Sequence, residues 1–407
     1  MATVYDVLIV GAGFAGLTIA ERLCTRHGLR CLLVERRRHI GGNAYDHLDD
    51  HGVRIHAYGP HYFRTNSDRV VEYLSQFTAW HPVQYRVKSF TDGRYWSFPI
   101  NLETFEQFIG RPATSEEMEA WLAEHRVPID QPANSEEIIV SQVGWELYEK
   151  FFRGYTLKQW KRHPRDLSPS VCGRIPIRTT RDDRYLREKF QALPAAGYTA
   201  LFDRMVAACG DALTLMLDTD YREIAPNTDF RHLVYTGPID EFYDYAFGDL
   251  PYRSLRFEKE GFTPGQLAER QPISGKAGFW QPAMQVNYPN DEDFTRIVEI
   301  KHATGQDCDN TTIVREYPHD YTRGREPYYP VPSPDAEAIY EKYRSLAAVG
   351  TLPEVFTAGG ISRAGVNASF VGRLATYRYY NMDQVIALAL EKAEQIGEMS
   401  RPKGLTT

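Results

Sequence analysis

The first residues able to do chemistry are six in a row, Gly11-Ala12-Gly13-Phe14-Ala15-Gly16, set between an apolar run at 7–10 and a helix-forming stretch, with Glu35 closing the next apolar run. This G-x-G-x-x-G spacing turns a strand tightly into a helix, lets backbone approach a pyrophosphate and lets helix pack on strand; an acid roughly twenty residues on suits ribose hydroxyls. The phosphates then rest on a helix N-terminus. The reading is an adenine-dinucleotide site that includes Phe14 and Ala15. After Glu35 come Arg36-Arg37-Arg38 and then Gly41-Gly42-Asn43. The arginines would suit a 2′-phosphate, but Glu35 would repel one. A second glycine pair past the ribose-binding strand points to tightly held FAD rather than NAD.

The remaining reactive types are aromatic and cationic. Phe151, Phe152, Tyr155 and Trp160 put four rings into ten residues, and a ring beside a basic group can stack on a nucleobase. Arg174, in a polar loop after Ser168-Pro169-Ser170, and Arg296, after Thr295, are candidates for a diphosphate clamp; Tyr317, Tyr379 and Tyr380 offer phenols to phosphate oxygens. There is no serine nucleophile elbow and no metal-ligand spacing.

These residues need elements to hold them. The pattern over 1–80 is strand, helix, strand and glycine loop, half of a doubly wound dinucleotide domain. Residues 101–190 are helix-rich, with Leu102, Phe105 and Phe108 at helical spacing and a second helical stretch over 136–160, which reads as a helical insertion with a mobile loop near 166–180. Residues 81–100 and 191–350 alternate short apolar runs, such as 232–236, with turns, and read as a mixed antiparallel sheet domain with returns to the FAD domain. Residues 351–400 return to strand, loop and helix, completing the FAD domain and bringing Arg373 to its pyrophosphate. Two runs, 355–360 and 370–373, compete to be that last strand. The expected fold class is α/β: a Rossmann-like FAD-binding domain with a helical insertion and a mixed sheet domain.

Composition agrees with a soluble cofactor enzyme. In 407 residues, 43% are hydrophobic and 25% charged, and the net charge of −7 offers no field for nucleic acid. No run approaches the ~18 apolar residues of a membrane span and the chain enters its first strand without a leader, so the expected location is cytoplasmic. Cys24, Cys31, Cys172, Cys209 and Cys308 lack C-x-x-C spacing, so neither a disulfide framework nor a metal site is expected.

Further blocks carry a resemblance: His56-Ala57-Tyr58-Gly59-Pro60-His61, Phe98-Pro99-Ile100-Asn101-Leu102, Arg174, Tyr185, Asn287-Tyr288, Thr295-Arg296, Glu316-Tyr317, Pro327-Tyr328-Tyr329-Pro330 and the run 372–379. Together with the glycine fingerprint, they make the chain resemble the UDP-galactopyranose mutase family over nearly its whole length. The resemblance implies an isomerase that interconverts UDP-galactopyranose and UDP-galactofuranose with no net redox change. Reduced FAD acts through N5 as the nucleophile at the anomeric carbon, forming a covalent flavin–sugar adduct. It implies that Arg174 and Arg296 neutralise the departing diphosphate and that Tyr317 and Tyr379 hydrogen-bond it. Tyr155, Trp160 and Tyr185 hold the uridine, with Phe152, Thr156, Tyr85, Asn287 and Asn381 completing the substrate cleft. Arg373 binds the FAD pyrophosphate, His61 lies beside the isoalloxazine, and the turn at Met382-Asp383 brings a helix N-terminus to the ring. Arg36, Gly42, Asn43 and Arg64 join the cofactor set. An external reductant and a homodimer are implied as well.

Two departures bear on the sugar, and a third, at Asn381, weighs less because asparagine is close in shape to aspartate. Arg64 stands where many members carry histidine, Tyr85 where a smaller polar residue is expected, and Asn381 where many carry aspartate. With the extra stretch at 350–368 they leave open a related nucleotide sugar, UDP-N-acetylgalactosamine or a dTDP-linked 6-deoxy sugar. An amine-oxidase-like flavoenzyme would share the N-terminal fingerprint without needing the paired arginines.

Overall fold

The computed structural model describes residues 4–270, 275–331, 333–356 and 365–400. Its dinucleotide layer is a five-stranded parallel sheet in the order Leu213–Met216, Cys31–Val34, Val4–Val10, Asp229–Tyr235, Asn367–Phe370. The inner strands are apolar on both faces because helices cover both. The helix Phe14–His27 packs against Met382–Met399 and against Tyr198–Cys209. Here the run at 232–236 differs from its reading as part of the mixed sheet. Leu233, Val234 and Tyr235 are buried in the middle of the parallel sheet, between Val4–Val10 and Asn367–Phe370.

The contest for the last strand also resolves. Glu354–Phe356 is a single 3₁₀ turn, the rest of the 355–360 run lies outside the described residues, and Asn367–Phe370 pairs in parallel with His232 to Tyr235. Its chain then turns at Gly372 into Arg373.

A seven-stranded sheet forms the second layer, ordered Tyr329–Pro330, Tyr252–Phe262, Thr311–Asp320, Arg296–Val298, Gln285–Asn287, Val87–Thr91, Arg94–Phe98. Its pairings are antiparallel except Gln285–Asn287 against Val87–Thr91. The strands Phe63–Thr65, Phe190–Pro194 and Trp80–Pro82 make a small sheet between the layers' sequences.

The helical arm opens with two reciprocal capping boxes, Asn101 with Thr104 and Thr114 with Glu117, before Leu102–Ile109 and Ser115–His125. Ser135–Tyr148 is broken at Gly144, whose φ of +77° and close approach to the His125 carbonyl exclude other residues. A π turn, Glu149–Arg153, then leads into Gly154–Trp160. The segment after Ser168, expected as loop, is a short helix, Pro169–Gly173, started by proline at its first position; Arg174 caps its end. No described helix is long and apolar enough to cross a membrane.

Candidate active site

Two clefts meet in the fold. The first opens at the carboxyl ends of Val4–Val10 and Cys31–Val34, and Gly11, Gly13, Phe14, Ala15, Glu35, Arg36, Gly42, Asn43, His61, Arg373 and Met382 all line it. Its floor is bare backbone. Gly11 has φ +102°, and a Cβ there would strike the Thr236 hydroxyl; a Cβ on Gly42 would lie 2.9 Å from the Gly13 Cα. A Cβ on Gly16 would run into the Gly11 carbonyl, so this glycine sets how closely helix packs on strand. Gly13 caps Phe14–His27 with no side-chain hydrogen bond, leaving the first N–H groups for an anion.

The Glu35 carboxylate accepts from the Ala12 N–H at 2.8 Å and the Arg37 N–H at 2.9 Å, which aims it at the cleft with lone pairs to spare for a ribose diol. Arg36 reaches Glu241 at 3.4 Å and Glu326 at 3.3 Å, and Arg37 donates to Glu326 at 2.6 Å and Asn43 at 2.9 Å. With its arginines met by these acids, the cleft fits an adenine dinucleotide without a 2′-phosphate. Asp383 differs from its cofactor-side reading. It is not among the residues lining the cleft, because the helical turn at Met382 carries the next residue about 100° around the axis.

At the inner end of this cleft, the His61 N–H donates to His56 Nδ1 at 3.0 Å, and His61 Nδ1 lies 3.0 Å from the Gly59 carbonyl. Burial, with His56 nearby, pushes the His61 imidazole down to about 3, and burial pushes His56 down to about 4. Both rings are neutral near neutral pH.

The second cleft lies between the seven-stranded sheet and the helical arm. Strand register sets Asn287 opposite Arg296 and Arg296 opposite Glu316, a polar row on one face. Arg296 Nε donates to Glu316 at 2.7 Å, and its Nη1 to Gln285 Oε1 at 3.3 Å, an oxygen that also accepts from the Tyr85 hydroxyl. Glu316 is fully buried, and burial pushes its carboxyl up against the pull of Arg296. The arm's wall supplies Phe152, Tyr155, Thr156 and Trp160; Arg174 and Tyr185 close the end. Tyr85 meets Tyr185 edge-on, ring centres 5.5 Å apart.

Tyr379 joins the clefts. Its ring sits 5.7 Å from the Arg174 guanidinium carbon and 5.2 Å from that of Arg373. Burial pushes the phenol up, but Arg174 and Arg373 outweigh it and hold it below the ordinary tyrosine value. Arg373 is anchored by the carbonyls of Tyr380, at 2.6 Å, and Tyr328, at 3.3 Å. A ligand in the first cleft can therefore face one in the second across Tyr379 and Arg373.

Two assignments move. Tyr317 lines neither cleft; its hydroxyl donates to Glu258 at 2.7 Å and its ring lies 4.0 Å from the Arg256 guanidinium carbon. Strand alternation explains it, since burying Glu316 beside Arg296 turns the next side chain to the opposite face. A tyrosine the sequence reading did not single out, Tyr329, lines the second cleft, stacked on Tyr379 with ring centres 5.6 Å apart. Its signal in the sequence was the tyrosine pair bracketed by Pro327 and Pro330. Arg64, expected beside the cofactor, lines the second cleft instead, donating to Glu188 at 2.6 Å and to Asn381 at 3.2 Å. Among the described residues no group of three His, Cys, Asp or Glu could hold a metal ion.

Comparison with known proteins agrees with this architecture. The sequence profile of the UDP-galactopyranose mutase family matches residues 150–379, and that of the NAD(P)-binding Rossmann-like domain matches residues 9–77. A Klebsiella pneumoniae protein named "Probable UDP-galactopyranose mutase" is 37% identical over 96% of this chain and 94% of its own. The dTDP-fucopyranose mutase of Escherichia coli is 33% identical over 95% of this chain and 97% of its own. Among solved structures, a reduced UDP-galactopyranose mutase superposes with a TM-score of 0.68 at 16% identity, covering 98% of this chain and 95% of that one. Putrescine oxidase shares the fold at a TM-score of 0.52. Fold, site and relatives agree: the chain belongs to the UDP-galactopyranose mutase family.

Proposed function

We propose that this protein is a pyranose–furanose mutase acting on a nucleoside-diphosphate sugar, UDP-galactose in the first reading, with FAD in the first cleft. The observation that carries it is the convergence of Arg174, Arg296, Tyr329 and Tyr379 on one cleft that adjoins the dinucleotide cleft at Arg373. Gly11, Gly13, Glu35 and Arg373 would hold the FAD, whose reduced ring would supply the nucleophile for the anomeric carbon when an external reductant is present.

The chain's own residues do the rest. Arg174 and Arg296 hold the diphosphate through charge-assisted hydrogen bonds and stabilise the charge that grows as the sugar departs. Arg296 can hold its place through the cycle because Glu316 and Gln285 fix its guanidinium. Tyr329 and Tyr379 donate phenolic protons to the phosphate oxygens. Tyr155 and Tyr185 give stacking faces for the base, while Trp160 and Phe152 exclude water that would otherwise intercept an open-chain sugar. Neutral His61 lines the flavin side without adding charge. Closure of the segment carrying Arg174 would seal the cleft.

A second reading has its own support. Arg64, tied to Glu188 and Asn381, stands in the substrate cleft, and one relative at 33% identity is a dTDP-fucopyranose mutase. Dithionite-reduced protein incubated separately with UDP-galactofuranose and dTDP-fucofuranose, with the isomers resolved by chromatography, decides between them. Faster conversion of the UDP sugar is expected. Conversion of the dTDP sugar alone overturns the galactose reading, and conversion of neither, with a small amine reducing the flavin of separately prepared oxidised protein, favours the oxidase.

A further inference from the structure

Lys158 stands on the arm helix Gly154–Trp160, the element that also carries Tyr155, Thr156 and Trp160 to the second cleft. Its ammonium donates to three backbone carbonyls of one turn: to Tyr288, to Glu292 at 2.7 Å and to Phe294 at 3.0 Å. Three donors meet three acceptors, which is the whole capacity of an ammonium. That turn joins Gln285–Asn287 to Arg296–Val298, and its feet are held by the Tyr288 N–H donating to the Thr295 carbonyl at 2.9 Å. It therefore carries Asn287 on one side and Arg296 on the other.

Two further contacts press the same turn onto the arm. A Cβ on Gly154 would lie 2.6 Å from Asn290 Oδ1 and closer still to the Pro289 carbonyl. The Asn290 amide donates to the Lys150 carbonyl at 3.2 Å and to Thr91 Oγ1 at 3.0 Å. Nothing in the chemistry of the reaction requires these bonds, yet they tie the wall that faces the base to the hairpin that bears the diphosphate arginine.

We infer that Lys158 is a positioning residue that sets the distance between the base-binding wall of the arm and Arg296, and so governs how tightly the nucleoside diphosphate is held. This rests on the nucleotide reading of the second cleft. An arginine cannot replace the lysine, since a planar fork does not reach three carbonyls that converge on one point. The clamp also responds to pH. Burial lowers the Lys158 ammonium to about 8 against the opposing pull of Glu292, Asp291 and Asp293 in the turn, with Lys161 on its own helix. Above that pH the neutral amine keeps two donors and leaves one carbonyl without its bond.

The test is UDP binding to the oxidised, flavin-loaded protein, followed by tryptophan fluorescence at pH 7 and pH 9. Wild type should bind more weakly at pH 9. Lys158→Met should weaken binding at pH 7 about tenfold, in keeping with loss of hydrogen bonds from a charged donor, and should lose the difference attributable to this amine between the two pH values. Flavin content and melting temperature, measured alongside, identify a variant that has not folded. In that case Gly154→Ala, which pushes the turn away while leaving the ammonium in place, should weaken UDP binding on its own. Folded Lys158→Met and Gly154→Ala proteins that bind UDP within twofold of wild type overturn the clamp while leaving the nucleotide cleft intact. Wild-type protein that binds no UDP at pH 7 overturns the nucleotide reading and the clamp with it.

Discussion

Arg174 and Arg296 carry the account at the scale of single residues. Arg174→Ala should lower turnover on the order of 10²–10³-fold, the usual cost of one electrostatic stabiliser of a developing oxyanion, with flavin still bound; steady-state rates and the flavin absorbance together check this. The two tyrosines separate cleanly. Tyr329→Phe should lower kcat/KM about tenfold through one lost hydrogen bond, whereas Tyr317→Phe should leave it unchanged, because that hydroxyl serves Glu258 on the outer strand face. The histidine pair makes a stability prediction. His56 and His61 are lowered in the folded protein, to about 4 and about 3, so the unfolded chain binds more protons between those values and the ordinary ~6.5. Their contribution is present above pH 6.5 and is lost as pH falls, at up to about 1.4 kcal/mol per pH unit for each ring. Urea unfolding at pH 7 and pH 4.5 should show the loss, and His56→Gln, which can still accept from the His61 N–H, should lessen it. The arginines were legible in the sequence as charge in a polar context. The sequence does not separate Tyr317 from Glu316, because adjacent strand residues look alike until one knows which of them the neighbouring strand buries.

Elements explain why the glycines matter more than their number suggests. Gly16 lies where the first helix crosses the first strand, and Gly16→Ala should cost about 1–3 kcal/mol by overpacking and reduce flavin retention, read from thermal unfolding and from the cofactor content of purified protein. The strand, turn and helix around Gly11 were readable from local spacing alone, since turn, close approach and helix start fall within one short segment. Non-local pairing was not. The apolar run at 232–236 has the same composition whether it enters a parallel or an antiparallel sheet, and only its partners, Val4–Val10 and Asn367–Phe370, decide. Arg64 moved from one cleft to the other for a similar reason, because the N-cap of Met382–Met399 and the segment before Phe190–Pro194 reach it from distant parts of the chain.

For the whole molecule, one chain builds a first cleft at the ends of a parallel sheet and a second between a mixed sheet and a helical arm, and lets them meet at Tyr379 and Arg373. On the proposed reading, a fold shared with putrescine oxidase serves ring isomerisation, with the flavin reduced at the start and end of each cycle. The deciding measurement is anaerobic. Reduce the protein once with a measured amount of dithionite, add UDP-galactofuranose in large excess, and follow the isomer ratio and the flavin spectrum together. Many sugars converted per flavin, with the flavin still reduced at equilibrium, is the predicted result. Flavin that reoxidises in proportion to product, or an isomer ratio that does not move for any nucleotide sugar while the flavin stays reduced, would contradict it.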